Sequence, residues 1–266
     1  MWNIVKRKLK EQSKSVMYYA IGLFAYAWLI IAIFPIFSED MMIEDYLGAI
    51  PEEMLAMLGV EDPAAMSTIE GFLALEYLAI FFVLILTFFV GSSAGSTIAG
   101  AIEKKTMDFQ LSQPISRIRL LLSEAFVTVL YTVGLVSFNS LAMIVLSRLH
   151  DVELSTKGVL AFTVLASALM LSIYGIAIFL SSFLKSKSVV MTTTIFLILG
   201  MHIFQSMTIF VERLKDFENV TLFYMYKPEE ILKTAELDLN HLLIFVLVFL
   251  VGLFISAVIF QKKDIA

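Results

Sequence analysis

Six long apolar runs constrain what this chain can fold into more than any other feature of its sequence. They lie at about 16–37, 72–100, 120–147, 158–184, 188–211 and 241–260. Each run is long enough to cross a bilayer as a helix, which takes about 20 residues. Because 59% of all residues are hydrophobic and only 16% are charged, the chain cannot be a soluble domain built around one core. We therefore predict an all-α integral membrane protein, a single transmembrane domain over residues 1–266 with six spans.

The reactive residue types are sparse, which excludes several kinds of site. Cysteine is absent, so disulfides, thiolate catalysis and cysteine-bound metals are excluded. The three histidines, His150, His202 and His241, form no pair at metal-binding spacing. No basic face is interleaved with aromatic residues, as it is in many proteins that bind nucleic acid. We expect no catalytic residue, metal or cofactor in this chain, and no nucleic-acid partner.

Lysine and arginine are distributed unevenly among the segments that flank the six spans. Thirteen of the 19 lie in the N-terminal segment, the second and fourth connections and the C-terminal segment. They are Lys6, Arg7, Lys8, Lys10, Lys14, Lys104, Lys105, Arg117, Arg119, Lys185, Lys187, Lys262 and Lys263. The first connection, 38–71, contains carboxylates but neither lysine nor arginine. Since cytoplasmic segments are enriched in Lys and Arg, both termini are predicted to be cytoplasmic, with the protein in the bacterial cytoplasmic membrane.

Residues 1–15 combine several cations with an apolar helical face. Trp2, Val5 and Leu9 share that face, and the cations would lie near anionic lipid headgroups. The pattern predicts an amphipathic helix in the cytoplasmic interface. A signal peptide is the alternative, but the apolar run that follows, 16–37, is too long for a signal sequence and has the length of a span.

A short polar segment, 102–119, separates the second apolar run from the third. Charged residues cost roughly 2.5–3.5 kcal/mol each at the centre of a membrane helix, so this segment lies outside the bilayer. Ile102, Thr106 and Phe109 recur at helical spacing, and Pro114 is typical of the first turn of a new helix. The segment is predicted to contain a short cytoplasmic helix, with an ordinary connecting loop as the alternative.

This segment and its flanks resemble the permeases of type-2 ATP-binding-cassette (ABC) exporters. In that family an apolar helix ends in an I-A-x-E-like sequence, followed by a Thr-led short helix, a leucine-rich patch and P-[IV]-S-R. The corresponding sequences here are Gly95-Ser-Thr-Ile-Ala-Gly-Ala-Ile-Glu-Lys-Lys-Thr106 and Gln113-Pro-Ile-Ser-Arg117, with further similarity at Ile50–Gly59 and Glu70–Leu75. The chain departs from the pattern at Lys105, where a Gly commonly precedes the Thr, and at Phe109-Gln110-Leu111, which replaces a Leu-Leu pair.

The resemblance implies a permease subunit with two kinds of protein partner, besides the membrane lipids around it. Two protomers, identical or related, pair around a central path, and a separate ABC ATPase binds ATP and Mg and hydrolyses the ATP. No P-loop lysine follows Gly91 or Gly95, which agrees with hydrolysis on another polypeptide. In such permeases the segment between the second and third spans is a coupling helix that docks on the ATPase. The residues expected to take part here are Glu103, Lys104, Lys105, Asp108, Phe109, Leu111 and Arg117.

A few residues inside the apolar runs stand out by type or spacing. Gly91 and Gly95 lie four residues apart on one helix face, which predicts close packing against another helix. The polar candidates for the substrate path are Glu76, Asn139, His202 and Gln205. Hydrogen bonding between helices is the alternative for the three neutral residues, and contact with the interface is the alternative for Glu76. Glu124, near the inner end of the third span, is also expected to reach the interface.

These observations favour an exporter permease over two other kinds of membrane protein. Glu229 and Glu230 resemble the paired glutamates of one intramembrane protease family, but the arginine and the His/Asn motifs of that family are missing. A membrane-embedded enzyme therefore stays a minor alternative, as does a non-transporting scaffold or immunity protein. A path lined by Met, Phe and Leu favours amphipathic peptides of antimicrobial or toxin-like character as cargo, and drugs after them.

Overall fold

The computed structural model describes residues 2–39, 67–107 and 115–263 as a helical bundle. The helices, numbered in chain order, are α1 (Trp2–Glu39), α2 (Ile69–Leu73), α3 (Phe81–Thr97), α4 (Ala99–Glu103), α5 (Arg117–Leu149), α6 (Thr156–Phe183), α7 (Lys187–Phe210), α8 (Glu212–Lys215), α9 (Pro228–Thr234) and α10 (Leu239–Lys262). A π-helical turn, Ala74–Leu78, follows α2 directly, and two 3-10 turns lie at Glu218–Val220 and Leu222–Tyr224. The predicted coupling residues Asp108, Phe109 and Leu111 lie outside the described residues.

Five of the described helices are long and apolar enough to cross a membrane: α1, α5, α6, α7 and α10. The bent pair Ile69–Leu78 and Phe81–Thr97, with an angle of 40° between its parts, makes a sixth span if it crosses as one unit. The prediction of several membrane-spanning helices is therefore confirmed, with five or six in the described chain. The bend lies directly after the π-helical turn, a local change of hydrogen-bond register that commonly distorts a helix.

The N-terminal helix differs from the predicted division into an interfacial helix, 1–15, and a separate span, 16–37. Both segments belong to the single continuous helix α1. Ile4, Val5 and Lys8 are buried in the first turns, and the Tyr131 hydroxyl on α5 donates to the Leu9 carbonyl at 2.8 Å. Of the apolar face that suggested a lipid contact, Val5 is therefore part of the protein core, Leu9 is half-buried, and Trp2 is 62% exposed.

Helix α6 lies at the centre of the bundle. Two thirds (67%) of its most apolar stretch is buried, against 17% for the corresponding stretches of α7 and α10. It packs most extensively against α10, where Gly175 and Gly252 bring the two backbones together. A Cβ atom at Gly175 would lie 2.6 Å from the Cα atom of Phe249, so this crossing excludes even a methyl group.

The bundle has two ends, and different helix termini meet at each of them. The starts of α1, α5 and α7 meet the ends of α4, α6 and α10 at what we call the basic end. The opposite, loop end contains α2, α8, α9 and the connections beside them.

Serine or aspartate caps the starts of four long helices by accepting a backbone N–H within the first turn. These caps are Ser116 for α5, Ser155 for α6, Ser186 for α7 and Asp238 for α10.

Candidate functional site

The polar segment at the basic end begins with a helix stop that the sequence pattern did not predict. Helix α4 ends at Glu103, and Lys105 adopts a left-handed conformation with φ of 54°. The backbone N–H of Lys105 donates to Ile102 O, and that of Thr106 donates to Ala101 O, both at 2.9 Å. This pair of bonds is a Schellman motif, which terminates a helix. Ile102 and Thr106 therefore do not lie on one continuous helix, although their spacing predicted it.

Glu103 connects the start of this segment to α7. Its side chain is exposed, and Oε2 accepts a hydrogen bond of 3.1 Å from the backbone N–H of Lys187, the first residue of α7. A carboxylate at a helix N-terminus is stabilised by the unpaired N–H groups and the helix dipole. Glu103, predicted to contact an ATPase, thus also holds α4 against α7, while Lys104 and Lys105 are exposed to solvent.

Arg117 connects the other end of the segment to the C-terminal helix. Its Nη1 atom donates to the carbonyl oxygens of Phe260, Gln261 and Lys263, at 3.1, 3.2 and 2.6 Å. Carbonyls in the last turn of a helix have no partners within the helix, and a cation beside them is favourable. Arg117 therefore closes the end of α10. It was predicted to contact the ATPase, and the structure uses its guanidinium within the chain.

Lys263 extends this connection to α6. Its Nζ atom donates to the Ser182 carbonyl at 2.9 Å, and burial lowers the pKa of the ammonium from its ordinary value. The polar segment is thus attached to three long helices: to α7 through Glu103, to α10 through Arg117, and to α6 through the end of α10.

Two of the predicted path residues lie near the π-helical turn, where Tyr77 is the central group. Asn139 on α5 is fully buried, and its Oδ1 accepts a hydrogen bond of 2.5 Å from the Tyr77 hydroxyl. That hydroxyl also lies 3.3 Å from the Leu23 carbonyl on α1. Glu76 is half-buried on another face of the turn, and its backbone carbonyl accepts from the Tyr26 hydroxyl at 3.3 Å. Asn139 therefore joins helices within this chain and is not open to solvent.

The other two path candidates lie on α7 towards the loop end. Gln205 Oε1 accepts a hydrogen bond from the Thr221 hydroxyl, and the His202 ring makes an edge contact with Phe223, with centroids 4.9 Å apart. In the described parts of the chain, no hydrogen bond joins His202 or Gln205 to Glu76 or Asn139. The four candidates thus form two separate groups, each held by its own neighbours.

Tyr77 and Tyr226 are the polar residues of this region that sequence reasoning missed. The Tyr226 hydroxyl donates at 3.0 Å to the Leu78 carbonyl, in the last position of the π-helical turn. The bend leaves this carbonyl without its regular helical partner, and the hydroxyl supplies one. Burial, and secondarily the neighbouring Tyr77, raises the pKa of Tyr226 well above its ordinary value. For Tyr77, a tyrosine inside an apolar run was the available signal, since a buried hydroxyl needs a partner. Tyr226 lies between two runs and gave no such signal.

Gly91 and Gly95 lie where α3 meets α7. A Cβ atom at Gly91 would lie 3.5 Å from Met191 Cα, an ordinary contact distance. A Cβ atom at Gly95 would lie only 2.9 Å from the Lys187 carbonyl oxygen. The four-residue glycine spacing therefore marks a helix contact within this chain, and it is tightest at Gly95.

A comparison of the chain with models of known protein families identifies its family. A family model described as ABC-2 family transporter protein matches residues 2–265. The chain belongs to the ABC-2 transporter family. The match confirms the relation to type-2 ABC permeases that the polar segment indicated. No curated protein and no solved structure matches the chain significantly.

Membership of the ABC-2 family and the five or six apolar helices together indicate a multi-pass membrane protein that acts as a transport permease rather than as an enzyme. An ABC ATPase is the partner that the family implies in general.

A buried ion pair lies beside the polar segment at the basic end of this ABC-2 protein. Lys8 Nζ on α1 is 3.2 Å from Glu124 Oε2 on α5, and the two residues are 7% and 2% exposed. Oε2 has no hydrogen-bond donor among the described residues, so the contact is an ion pair without hydrogen-bond geometry. Glu124 was expected to reach the interface, and that expectation is wrong because α1 covers it.

Proposed function

We propose that this chain is the permease subunit of an ATP-driven exporter. Two such subunits pair around a central path, and a separate ABC ATPase binds ATP and Mg and supplies the energy. The family match, the apolar helices and the polar segment between two of them support this proposal. The basic end faces the cytoplasm of a bacterial cell, in keeping with the excess of Lys and Arg there.

The observation that carries the proposal is the set of attachments around the polar segment. Its start is bonded to α7 through Glu103, and its end is bonded to α10 through Arg117. A force applied between these two points acts on several spanning helices at once. Mechanical coupling between an ATPase and a membrane path needs such an element, with contacts to both.

The coupling residues divide into anchors and rim charges. Phe109 and Leu111 are the apolar anchors that enter a groove of the ATPase. Glu103, Lys104, Lys105 and Asp108 lie at the rim, where charges set orientation and association rate more than affinity. Arg117 acts from within the permease by holding the end of α10.

The cargo we propose is an amphipathic peptide of antimicrobial or toxin-like character, with apolar drugs next. The apolar spans include many Met, Phe and Leu residues and few charges, which suits such molecules and provides no ring of charge to select a small ion. Asn139 is occupied by Tyr77 in this protomer. His202 and Gln205 are the better candidates for a path at the protomer interface because they are only half-buried, on the sparsely covered helix α7, whereas Asn139 is fully buried.

The test is a double substitution in the segment, Phe109→Ala with Leu111→Ala. The matched control is Phe217→Ala with Val220→Ala, which removes one aromatic and one aliphatic side chain from exposed positions at the loop end. Both variants should insert and fold normally. Only the first should lose co-purification with the ATPase, or lose cargo-stimulated ATP turnover.

Each variant is compared with wild type for ATPase recovered per permease and for ATP turnover with and without cargo peptide. Loss of ATPase recovery or of cargo-stimulated turnover in the Phe109/Leu111 variant alone supports coupling through 102–119. Wild-type recovery and turnover in both variants contradicts that coupling.

A further inference from the structure

A polar cleft of about 460 Å³ opens at the basic end between α1, α3, α5 and the start of α7. Arg7, Glu11 and Lys104 at its rim are exposed, while Ser93 and Glu124 in its floor are buried. Its volume is within the range of roughly 300–1,000 Å³ that is usual for small-molecule sites. The cleft is therefore large enough for a small polar group and open enough to admit one.

The charges of the cleft do not balance. Its lining includes four cations, Arg7, Lys8, Lys104 and Lys187, and two carboxylates, Glu11 and Glu124, which leaves a net charge of +2. Both carboxylates already have partners. Glu11 lies 3.5 Å from Arg7, and Glu124 lies 3.2 Å from Lys8.

Lys104 and Lys187 are the two cations that remain. Among the described residues, no carboxylate lies within ion-pair distance of either ammonium group. Glu103 is the nearest candidate by sequence, but its carboxylate bonds to the backbone N–H of Lys187 and not to the side chain. Two like charges facing one cleft repel each other, and an anion between them would relieve that repulsion.

Neutral groups in the floor can add hydrogen bonds to such an anion. The Ser93 hydroxyl accepts from Gln12 Nε2 at 3.4 Å and keeps its own hydrogen for another acceptor. Ser92 and Ser15 contribute further hydroxyls to the lining. Gln12 Oε1 and Glu124 Oε2 in the lining are buried acceptors without a donor from the described chain, but the net charge of +2 still disfavours a cation. An anion with several oxygen atoms would satisfy both lysines and the serines.

We propose that this cleft binds a phosphate group, with Lys104 and Lys187 as its charged ligands and Ser93 as a hydroxyl donor. Lysine is a common phosphate ligand because its compact ammonium acts as a point charge with three donors. The cleft lies where the spanning helices end, at the depth of lipid headgroups, and phosphate is the principal anion at that depth. The phosphate belongs either to an anionic lipid of the inner leaflet or to a soluble phosphate compound.

The site is a property of this chain alone, so its test needs neither an ATPase nor cargo. Full-length protein is purified in detergent without phosphate, and the affinities of three probes are measured: phosphatidylglycerol, inorganic phosphate and glycerophosphoglycerol. Phosphatidylcholine serves as the lipid with no net charge. Native mass spectrometry counts the bound lipids, and the rise in Tm gives the affinity of each probe.

The informative variant is Lys104→Gln with Lys187→Gln, and the matched control is Lys185→Gln with Lys262→Gln. The control removes the same charge from exposed positions at the same end, outside the cleft. We expect wild type and control to bind the phosphate probe on the order of ten-fold more tightly than the cleft variant, since each charge-assisted bond contributes substantially. Lys104→Gln alone should weaken binding several-fold. Because Lys104 is exposed, this single variant should fold normally and still tests the site if the double variant folds poorly.

The arms of the experiment separate the two sources of phosphate. Binding of phosphatidylglycerol but not of the soluble probes assigns the cleft to a lipid headgroup. Binding of inorganic phosphate or glycerophosphoglycerol, with the same dependence on Lys104 and Lys187, assigns it to a soluble compound. Equal binding of every probe by the cleft and control variants overturns the phosphate site.

Discussion

Lys8 Nζ lies 3.2 Å from Glu124 Oε2, and this buried pair joins the first turns of α1 to the first turns of α5. The two residues are only 7% and 2% exposed, so water stabilises neither charge well on its own. A buried pair of this kind often contributes little net stability, yet the loss of one partner leaves the other charge buried and unpaired. The pair therefore fixes how α1 and α5 fit together.

The first prediction is a double-mutant cycle on this pair. Lys8→Met should lower the free energy of unfolding by about 3–5 kcal/mol because it leaves the Glu124 carboxylate unpaired. Lys8→Met with Glu124→Leu should recover most of that loss, since no buried charge remains. Thermal unfolding of the purified proteins in detergent measures both. Additive losses in the double variant would contradict a direct pairing.

The second prediction concerns the glycines at helix crossings. Gly95→Ala should destabilise the protein by about 1–3 kcal/mol because a methyl group there meets the Lys187 carbonyl at 2.9 Å. Gly91→Ala, with its nearest atom at 3.5 Å, should be tolerated. Gly134→Ala and Gly200→Ala are the controls, as a Cβ atom at either position meets nothing within 4 Å. Equal Tm values for Gly95→Ala and the controls would show that α3 and α7 do not pack this closely.

Sequence patterns predicted the apolar helices well because hydrophobic run length is a local property. The glycine spacing at Gly91 and Gly95 likewise indicated a close contact, but not that Gly95 is the tighter position. The Gly175–Gly252 crossing was missed because its two glycines lie on different helices and neither has a glycine four residues away. Pairing across the bundle depends on tertiary structure, which a single sequence does not contain.

The third prediction is a stabilising substitution at the end of α4. Lys105 has φ of 54° at the position of a Schellman motif where glycine is usual. Lys105→Gly should relieve the left-handed strain and raise the free energy of unfolding by about 0.5–1 kcal/mol. Tm should rise accordingly.

The control for this substitution is Lys104→Gly. Lys104 has φ of −82°, which a lysine adopts without strain, so glycine there only adds freedom to the unfolded chain. Its Tm should stay the same or fall. A fall in Tm for Lys105→Gly as well would contradict the proposed strain.

The charged residues of the polar segment show what a motif can and cannot predict. The resemblance assigns Glu103 and Arg117 to contacts with an external partner, and that assignment stays a prediction. The structure gives each a bond within the chain, Glu103 to the Lys187 N–H and Arg117 to the carbonyls that end α10. These partners are about 80 and 140 residues away in sequence, so periodicity could not reveal them.

The fourth prediction tests the Arg117 connection. Arg117→Gln should release the end of α10, since three carbonyls lose their shared donor. Hydrogen exchange of the amides at 258–263 should become about ten-fold faster or more, because each 1.4 kcal/mol of lost protection is a factor of ten. Arg119→Gln is the control, as Arg119 is exposed and its side chain makes no hydrogen bond in the described structure. Equal exchange rates in the two variants would contradict the connection.

The fifth prediction concerns the orientation of the bundle, which the charge distribution indicates. Because the chain has no cysteine, single cysteines report the accessibility of each end without background. Val220, 73% exposed at the loop end, and Lys185, exposed at the basic end, are suitable positions. If Lys and Arg are retained on the cytoplasmic side, a membrane-impermeant maleimide added to intact cells should label Val220→Cys and leave Lys185→Cys unlabelled.

Permeabilised cells, in which both cysteines should react, provide the control for thiol reactivity. Labelling of Lys185→Cys in intact cells, with Val220→Cys protected, would place the basic end outside and remove the polar segment from the reach of a cytoplasmic ATPase.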